Sequence, residues 1–233
     1  MNIFNKFIFS KCSVCDRKTE AFSDLCVKCK EKIDNFSKNK KCVICNRPIF
    51  HEDRLICLFC EKLEPHFDQA IAVYNYEDEF RDALISYKFN HNFYRVRLFS
   101  RLLLMQFEKL NVKCDCIIPV PTSTKNIVKR QYCGTLEIAY LMSLKLKLKN
   151  YPKALIKTNN KQQSLLKIEE RYSNVKDSFD VDFIYRNKVK GKNILLVDDV
   201  ITTGSTASEC SKLLKYYGAK EVYVVALLYG GGY

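Results

Sequence analysis

Apolar positions along the chain gather into a few short runs separated by longer amphipathic stretches. The densest run lies within 193–201, where Ile194, Leu195, Leu196 and Val197 follow one another before Asp198 and Asp199. A short, β-branched run with no polar face predicts a central strand of a parallel sheet, buried on both sides. Residues 69–76 alternate and predict a further strand. Residues 115–121, Asp-Cys-Ile-Ile-Pro-Val-Pro, predict another buried one. Pro119 and Pro121 stiffen its exit and deny ladder hydrogen bonds there. A short strand at 154–157 and a last one at 221–228 complete the set. Helical periodicity predicts helices over 77–89, 93–110 and 136–149, and from Ser205 to a stop at Gly218. Strands alternating with helices predict an α/β fold, an open parallel sheet with helices on both faces.

This pattern is missing from residues 1–65, where cysteines replace the apolar runs. Cys12 and Cys15, Cys26 and Cys29, Cys42 and Cys45, and Cys57 and Cys60 form four CxxC pairs. Each pair is a tight knuckle that turns two thiolates toward one ion, and the intervals suit a short ribbon that brings a second pair back. Two structural Zn²⁺ sites are expected, paired either in order or cross-braced. Four thiolates leave no open position for water or substrate. His51 reads as a surface histidine. Pro65 sits in a polar hinge at 61–66, so the expected organisation is a double zinc ribbon at 1–65 and a larger unit at 66–233.

Charge adds a second expectation. The chain carries 39 Lys and Arg against 26 Asp and Glu, a net +13. The surplus is +4 in residues 1–65 and +9 in residues 66–233. Two tetrathiolate sites would cancel the first, so the excess belongs to the larger unit. It suits polyanions, either phosphorylated ligands or nucleic acid. A solvated Lys-rich surface is the plainer reading. Lys38, Lys40 and Lys41 lie between the two halves of a ribbon that suits either nucleic acid or protein docking. Phe93, Tyr94, Arg95 and Arg97 set aromatics beside cations as a base-stacking surface would, although such residues are more often the core and rim of a helix. No run of 18 apolar residues occurs, and the opening 1–11 lacks the features of a secretory signal, so a cytoplasmic protein without a membrane span is expected.

The chemistry concentrates where the 193–201 run ends. Thr202, Thr203, Gly204, Ser205 and Thr206 supply hydroxyls, small side chains and one residue free to take positive φ. Successive backbone N–H groups can converge there on an anion at the start of a helix. Asp198 and Asp199, at the carboxyl end of the strand, are suited to the vicinal hydroxyls of a ribose. Lys125, Lys129 and Arg130 follow the 115–121 strand, where they could neutralise a pyrophosphate or form a solvated turn. The long polar stretch 157–179 reads as a substrate-covering flap. Residues 230–233, Gly-Gly-Gly-Tyr, read as a flexible tail.

The stretch VDDVITTGST resembles the binding signature of type I phosphoribosyltransferases. That resemblance implies phosphoribosyl pyrophosphate or ribose 5-phosphate as ligand, with Asp198 and Asp199 on the ribose and Thr202 to Thr206 on the 5′-phosphate. The chain is also similar to the ComF family along nearly its whole length. The shared series is four CxxC pairs, Tyr87-Lys88-Phe89, Pro119-Val120-Pro121, a basic loop, then Gln163, Arg171, Asn174 and Phe179 ahead of the acidic motif. This second resemblance implies a competence protein that binds phosphoribosyl pyrophosphate with Mg²⁺ and single-stranded DNA during uptake of transforming DNA, beside a helicase-like partner. It assigns Lys88, Lys125, Lys129, Arg130, Gln163 and Arg171 to the pyrophosphate and flap side. The chain departs from the family at Arg130-Gln131-Tyr132-Cys133-Gly134 and at Asn90-His91-Asn92. An active phosphoribosyltransferase, with Asp198 and Asp199 catalytic, and a zinc-ribbon regulator sensing a ribose phosphate are the alternatives.

Overall fold

The computed structural model describes residues 10–20, 23–51, 53–89, 94–121, 134–157 and 178–230. Its centre is a five-stranded sheet in which every pairing is parallel. The strands are β3 (Gln69–Asn75), β4 (Cys116–Pro119), β5 (Lys149–Asn150), β8 (Asn193–Ile201) and β9 (Glu221–Tyr229), in the order β3-β9-β8-β4-β5. Ile194 to Val197 are fully buried in the middle strand, as a run apolar on both faces requires.

Helices α3 (Asp78–Phe89), α4 (Arg95–Leu110) and α5 (Gly134–Leu146) cover one face. In α4, Leu98, Phe99, Leu102, Leu103, Phe107 and Leu110 recur at helical spacing and are buried against Val73, Leu195 and Val225. The opposite face is covered by α6 (Phe183–Val189) and α7 (Ser205–Tyr216), whose Ala207, Cys210 and Leu214 meet Ile194, Leu196 and Val224. Among the described residues no helix is long and apolar enough to cross a membrane.

Several expectations change. The helix expected over 136–149 ends at Leu146. Lys147 takes positive φ (55°), and Lys149–Asn150 pairs with β4 as the edge strand β5. The short strand near 154–157, β6 (Leu155–Lys157), stands outside the main sheet. It forms an antiparallel ribbon with β7 (Phe179–Val181). Of the expected hinge at 61–66, residues 61–63 belong to helix α2 (Leu58–Leu63), which carries Cys60. Gly230 is no loose tail. It is buried, and its N–H donates to the carbonyl of Ile201.

The cysteine-rich segment comprises two knuckles that pack on opposite faces of the β3 side of the sheet. The first holds β1 (Ser10–Lys11), β2 (Lys18–Thr19) and α1 (Val27–Lys38), and its Cys12, Val14 and Ile33 join the α3–α4 core. The second carries α2, and its Cys42, Ile49 and Cys60 join the α7 core. Ala70 of edge strand β3 donates its N–H to the carbonyl of Ile44, so the second knuckle also satisfies part of the sheet's rim.

Candidate functional site

Strand β8 outruns its neighbour β4. The register pairs Pro119 with Val197, and Val120 donates its N–H to the Val197 carbonyl, whereas β9 continues alongside β8 to Ile201. Asp198 and Asp199 therefore sit just past the last β4 pairing, at the open carboxyl edge. Alternation along the strand turns the two side chains to opposite faces. Asp199 meets Lys88 of α3, with Nζ to Oδ2 at 2.6 Å. The Lys88 helix end is held in place by its neighbour Tyr87, which is fully buried and donates from its hydroxyl to the Gly134 carbonyl at the start of α5. The Asp198 carboxyl is pushed up to about 7, first by desolvation and then by the charge of Asp199, against the opposing effect of Lys88. Its Oδ1 accepts the N–H of Asp199 at 2.8 Å.

The loop that follows turns at Gly204, whose φ of +84° is disfavoured for any side chain-bearing residue. A Cβ there would lie 3.3 Å from Leu63 Cδ2, so the loop packs closely on the end of α2. The Thr203 and Ser205 hydroxyls are 2.7 Å apart, and the Ser205 N–H donates to Thr203 Oγ1 at 3.3 Å. Ser205 opens α7, so residues 202–206 form the positive end of a 12-residue helix.

Beneath the loop lies Arg47, a residue that sequence reasoning missed. It comes from the second knuckle and is 3 % exposed. Its Nη2 donates to the carbonyls of Thr202 and Ile201, and its Nη1 to that of Gly230. The guanidinium lies over the rings of Phe59 and Tyr229, 4.4 and 5.1 Å from their centroids. Tyr229 in turn donates to the Cys45 carbonyl, and His66 donates its N–H to Ser208 Oγ of α7. The only sequence signal for this role was an Arg beside a CxxC pair, which reads as ordinary surface charge.

The eight cysteines assemble in chain order. Cys12, Cys15, Cys26 and Cys29 form one cluster and Cys42, Cys45, Cys57 and Cys60 the other, with the sulfurs of each within 4.8 Å of one another. The cross-braced alternative is thereby set aside. Cys15 and Cys26 sulfurs are 3.6 Å apart, and those of Cys45 and Cys57 are 3.5 Å apart. A tetrahedral Zn²⁺ with arms of about 2.3 Å needs sulfur separations of about 3.8 Å, so both donor sets fit. Cys12 is lowered to about 4, chiefly by hydrogen bonding with Cys29. His51 is exposed and stands apart from both clusters.

Of the residues singled out from the sequence, Asp198, Asp199, Lys88 and Thr202 to Thr206 come together at one edge. Lys125, Lys129, Arg130, Gln163 and Arg171 lie outside the described residues, as does Phe93. Arg95 is not a base-stacking cation. It is 2 % exposed and grips the first knuckle, donating to the carbonyls of Ser13 and Val14 and pairing with Asp16 at 2.8 Å. Lys41 is also turned inward, donating to the Phe36 carbonyl, and burial lowers it to about 8.

Residues 136–233 match the phosphoribosyl transferase domain. Competence protein F of Haemophilus influenzae is 28% identical over 97% of this chain and 98% of its own length. Competence protein ComFC of Bacillus subtilis is 26% identical over 82% of this chain and 77% of its own. Glutamine phosphoribosylpyrophosphate amidotransferase from B. subtilis, among solved structures, is 22% identical over 57% of this chain, with a TM-score of 0.38. The chain spans about a quarter of that enzyme's length. The domain match and the parallel sheet together give a type I phosphoribosyltransferase fold, with the cysteine knuckles added at its N-terminal side.

Proposed function

We propose that this chain, which matches the ComF family over nearly its full length, binds the phosphoribosyl group of phosphoribosyl pyrophosphate in a competence protein that handles single-stranded DNA on the cytoplasmic side of uptake. In this reading Thr202 to Thr206 hold the 5′-phosphate, Asp198 and Asp199 take the ribose hydroxyls, and Lys88 of α3 pairs with Asp199. The observation that carries it is the juxtaposition of the paired carboxylates with an amide-rich turn at a helix N-terminus, at the open carboxyl edge of the sheet. The two cysteine clusters hold structural Zn²⁺. Mg²⁺ would arrive with the pyrophosphate and offset its charge.

Titration calorimetry with ribose 5-phosphate and with phosphoribosyl pyrophosphate tests the reading. Both are expected to bind the wild type, and Asp198→Ala with Asp199→Ala is expected to abolish the signal. Binding that survives the double substitution would refute the assignment. Anisotropy with labelled single strands at low salt checks the nucleic-acid half, and a pyrophosphate-release assay with a panel of bases and amines separates a binder from an enzyme.

A further inference from the structure

Two buried arginines fasten the cysteine knuckles, and they work in opposite directions. Arg95 belongs to α4 and reaches out to grip the first knuckle. Arg47 belongs to the second knuckle and reaches in, to the carbonyls of Ile201, Thr202 and Gly230. The consequence follows from peptide geometry. In a trans peptide the carbonyl of one residue and the N–H of the next point to opposite sides. With the Ile201 and Thr202 carbonyls turned onto Arg47, the N–H groups of Thr202 and Thr203 are turned away from it, toward the side on which an anion would sit. The guanidinium also places a fixed positive charge behind the loop.

We propose that Arg47 is a positioning residue for the sugar-phosphate site, through which the second cysteine knuckle sets the direction of the phosphate-binding amides. The inference rests on the ribose-phosphate reading of Thr202 to Thr206. Arg47 is itself placed by the knuckle: its carbonyl accepts the N–H of Cys42 at 2.9 Å, and Phe59 beneath it lies two residues from Cys57 and one from Cys60. Gly204 against Leu63 and Tyr229 against Cys45 add further links between the same two parts. An intact second cluster, and not the first, therefore presets the anion site, and by reciprocity the bound phosphate steadies the second knuckle.

The test uses the full chain with two zinc ions per molecule and compares Arg47→Lys, Arg47→Met and, as control, Arg95→Lys. Ribose 5-phosphate affinity is read by calorimetry, and amide hydrogen exchange over 202–206 is read without ligand. Lysine keeps the charge but cannot reach three carbonyls at once. Arg47→Lys is expected to weaken binding about tenfold or more and to speed exchange at 202–206, with Arg47→Met worse. Arg95→Lys is expected to lower the melting temperature while leaving affinity within about twofold. Wild-type affinity and exchange in Arg47→Lys overturn the proposal, as does an equal loss in Arg95→Lys, which would mark a general loss of stability. Should Arg47→Lys fail to accumulate, Phe59→Leu removes the stacking surface alone and is expected to give the same pattern at reduced size. Unaltered affinity and exchange there also overturn the proposal. A wild type that binds no ribose 5-phosphate overturns the functional reading itself, whereas the ligand-free exchange judges the Arg47 clamp separately.

Discussion

Asp198 offers a test whose sign and size both come from the site. Its carboxyl is raised from the ordinary 3.8 to about 7 by desolvation and by Asp199. A group raised in the folded state binds more protons folded than unfolded, so stability falls as pH rises from about 4 through 7. At about 1.4 kcal/mol per pH unit, that rise sets a ceiling on the order of 4 kcal/mol, and between pH 5 and pH 8 the loss is about 2–3 kcal/mol. Asp198→Asn keeps an acceptor for the Asp199 N–H and removes the titration. Urea unfolding of both proteins from pH 5 to pH 8 supplies the comparison. The difference between them cancels any pH dependence that both share through their cysteine clusters. Asp198→Asn is expected to be the more stable by a margin that widens with pH. Parallel stability profiles would refute the reasoning, because they would show the carboxylate to be as well accommodated folded as unfolded.

Other outcomes follow from the same geometry. Lys88→Met removes the 2.6 Å partner of Asp199 and is expected to cost about 1–2 kcal/mol at pH 8, read by the same urea titration, and to move the Asp198 transition to higher pH. Gly204→Ala places a Cβ in a left-handed conformation 3.3 Å from Leu63 Cδ2. A loss of about 1–2 kcal/mol and a weakened ribose 5-phosphate signal are expected, and an unchanged melting temperature would count against the described turn. Native mass spectrometry is expected to find two zinc ions per chain, with Cys45→Ser retaining one. Retention of both would show that Cys45 is not needed to hold the second ion.

Much of the fold was legible because burial on both faces leaves an unmistakable pattern. Ile194 to Val197, short and β-branched and followed by acids and a glycine, read as a central strand and are one, and the acids, hydroxyls and glycine that follow marked the candidate site by chemical type. What escaped was either short or made by tertiary contact. Strand β5 is two residues long within a lysine-rich stretch that continues a helical pattern, so no local period could reveal it. Strand β7 and helix α6 are similarly brief. Arg47 and Arg95 are charged residues whose burial depends on carbonyls far away in sequence, and no spacing rule discloses such partners. Sequence reasoning left Arg95 between a base-stacking surface and the core or rim of a helix, since an arginine beside a tyrosine looks alike whether it faces solvent or a knuckle; its burial decides for the second.

The contact between Ala70 and Ile44 bears on how the protein fails. If the second cluster holds Zn²⁺, its removal would loosen the knuckle and bare part of the outer rim of β3, the Ala70 N–H included, to a strand from another molecule. Chelation should therefore produce turbid, self-associating material, with light scattering that climbs with concentration, instead of a dispersed unfolded chain. On that view an occupied second cluster would guard colloidal behaviour as much as shape.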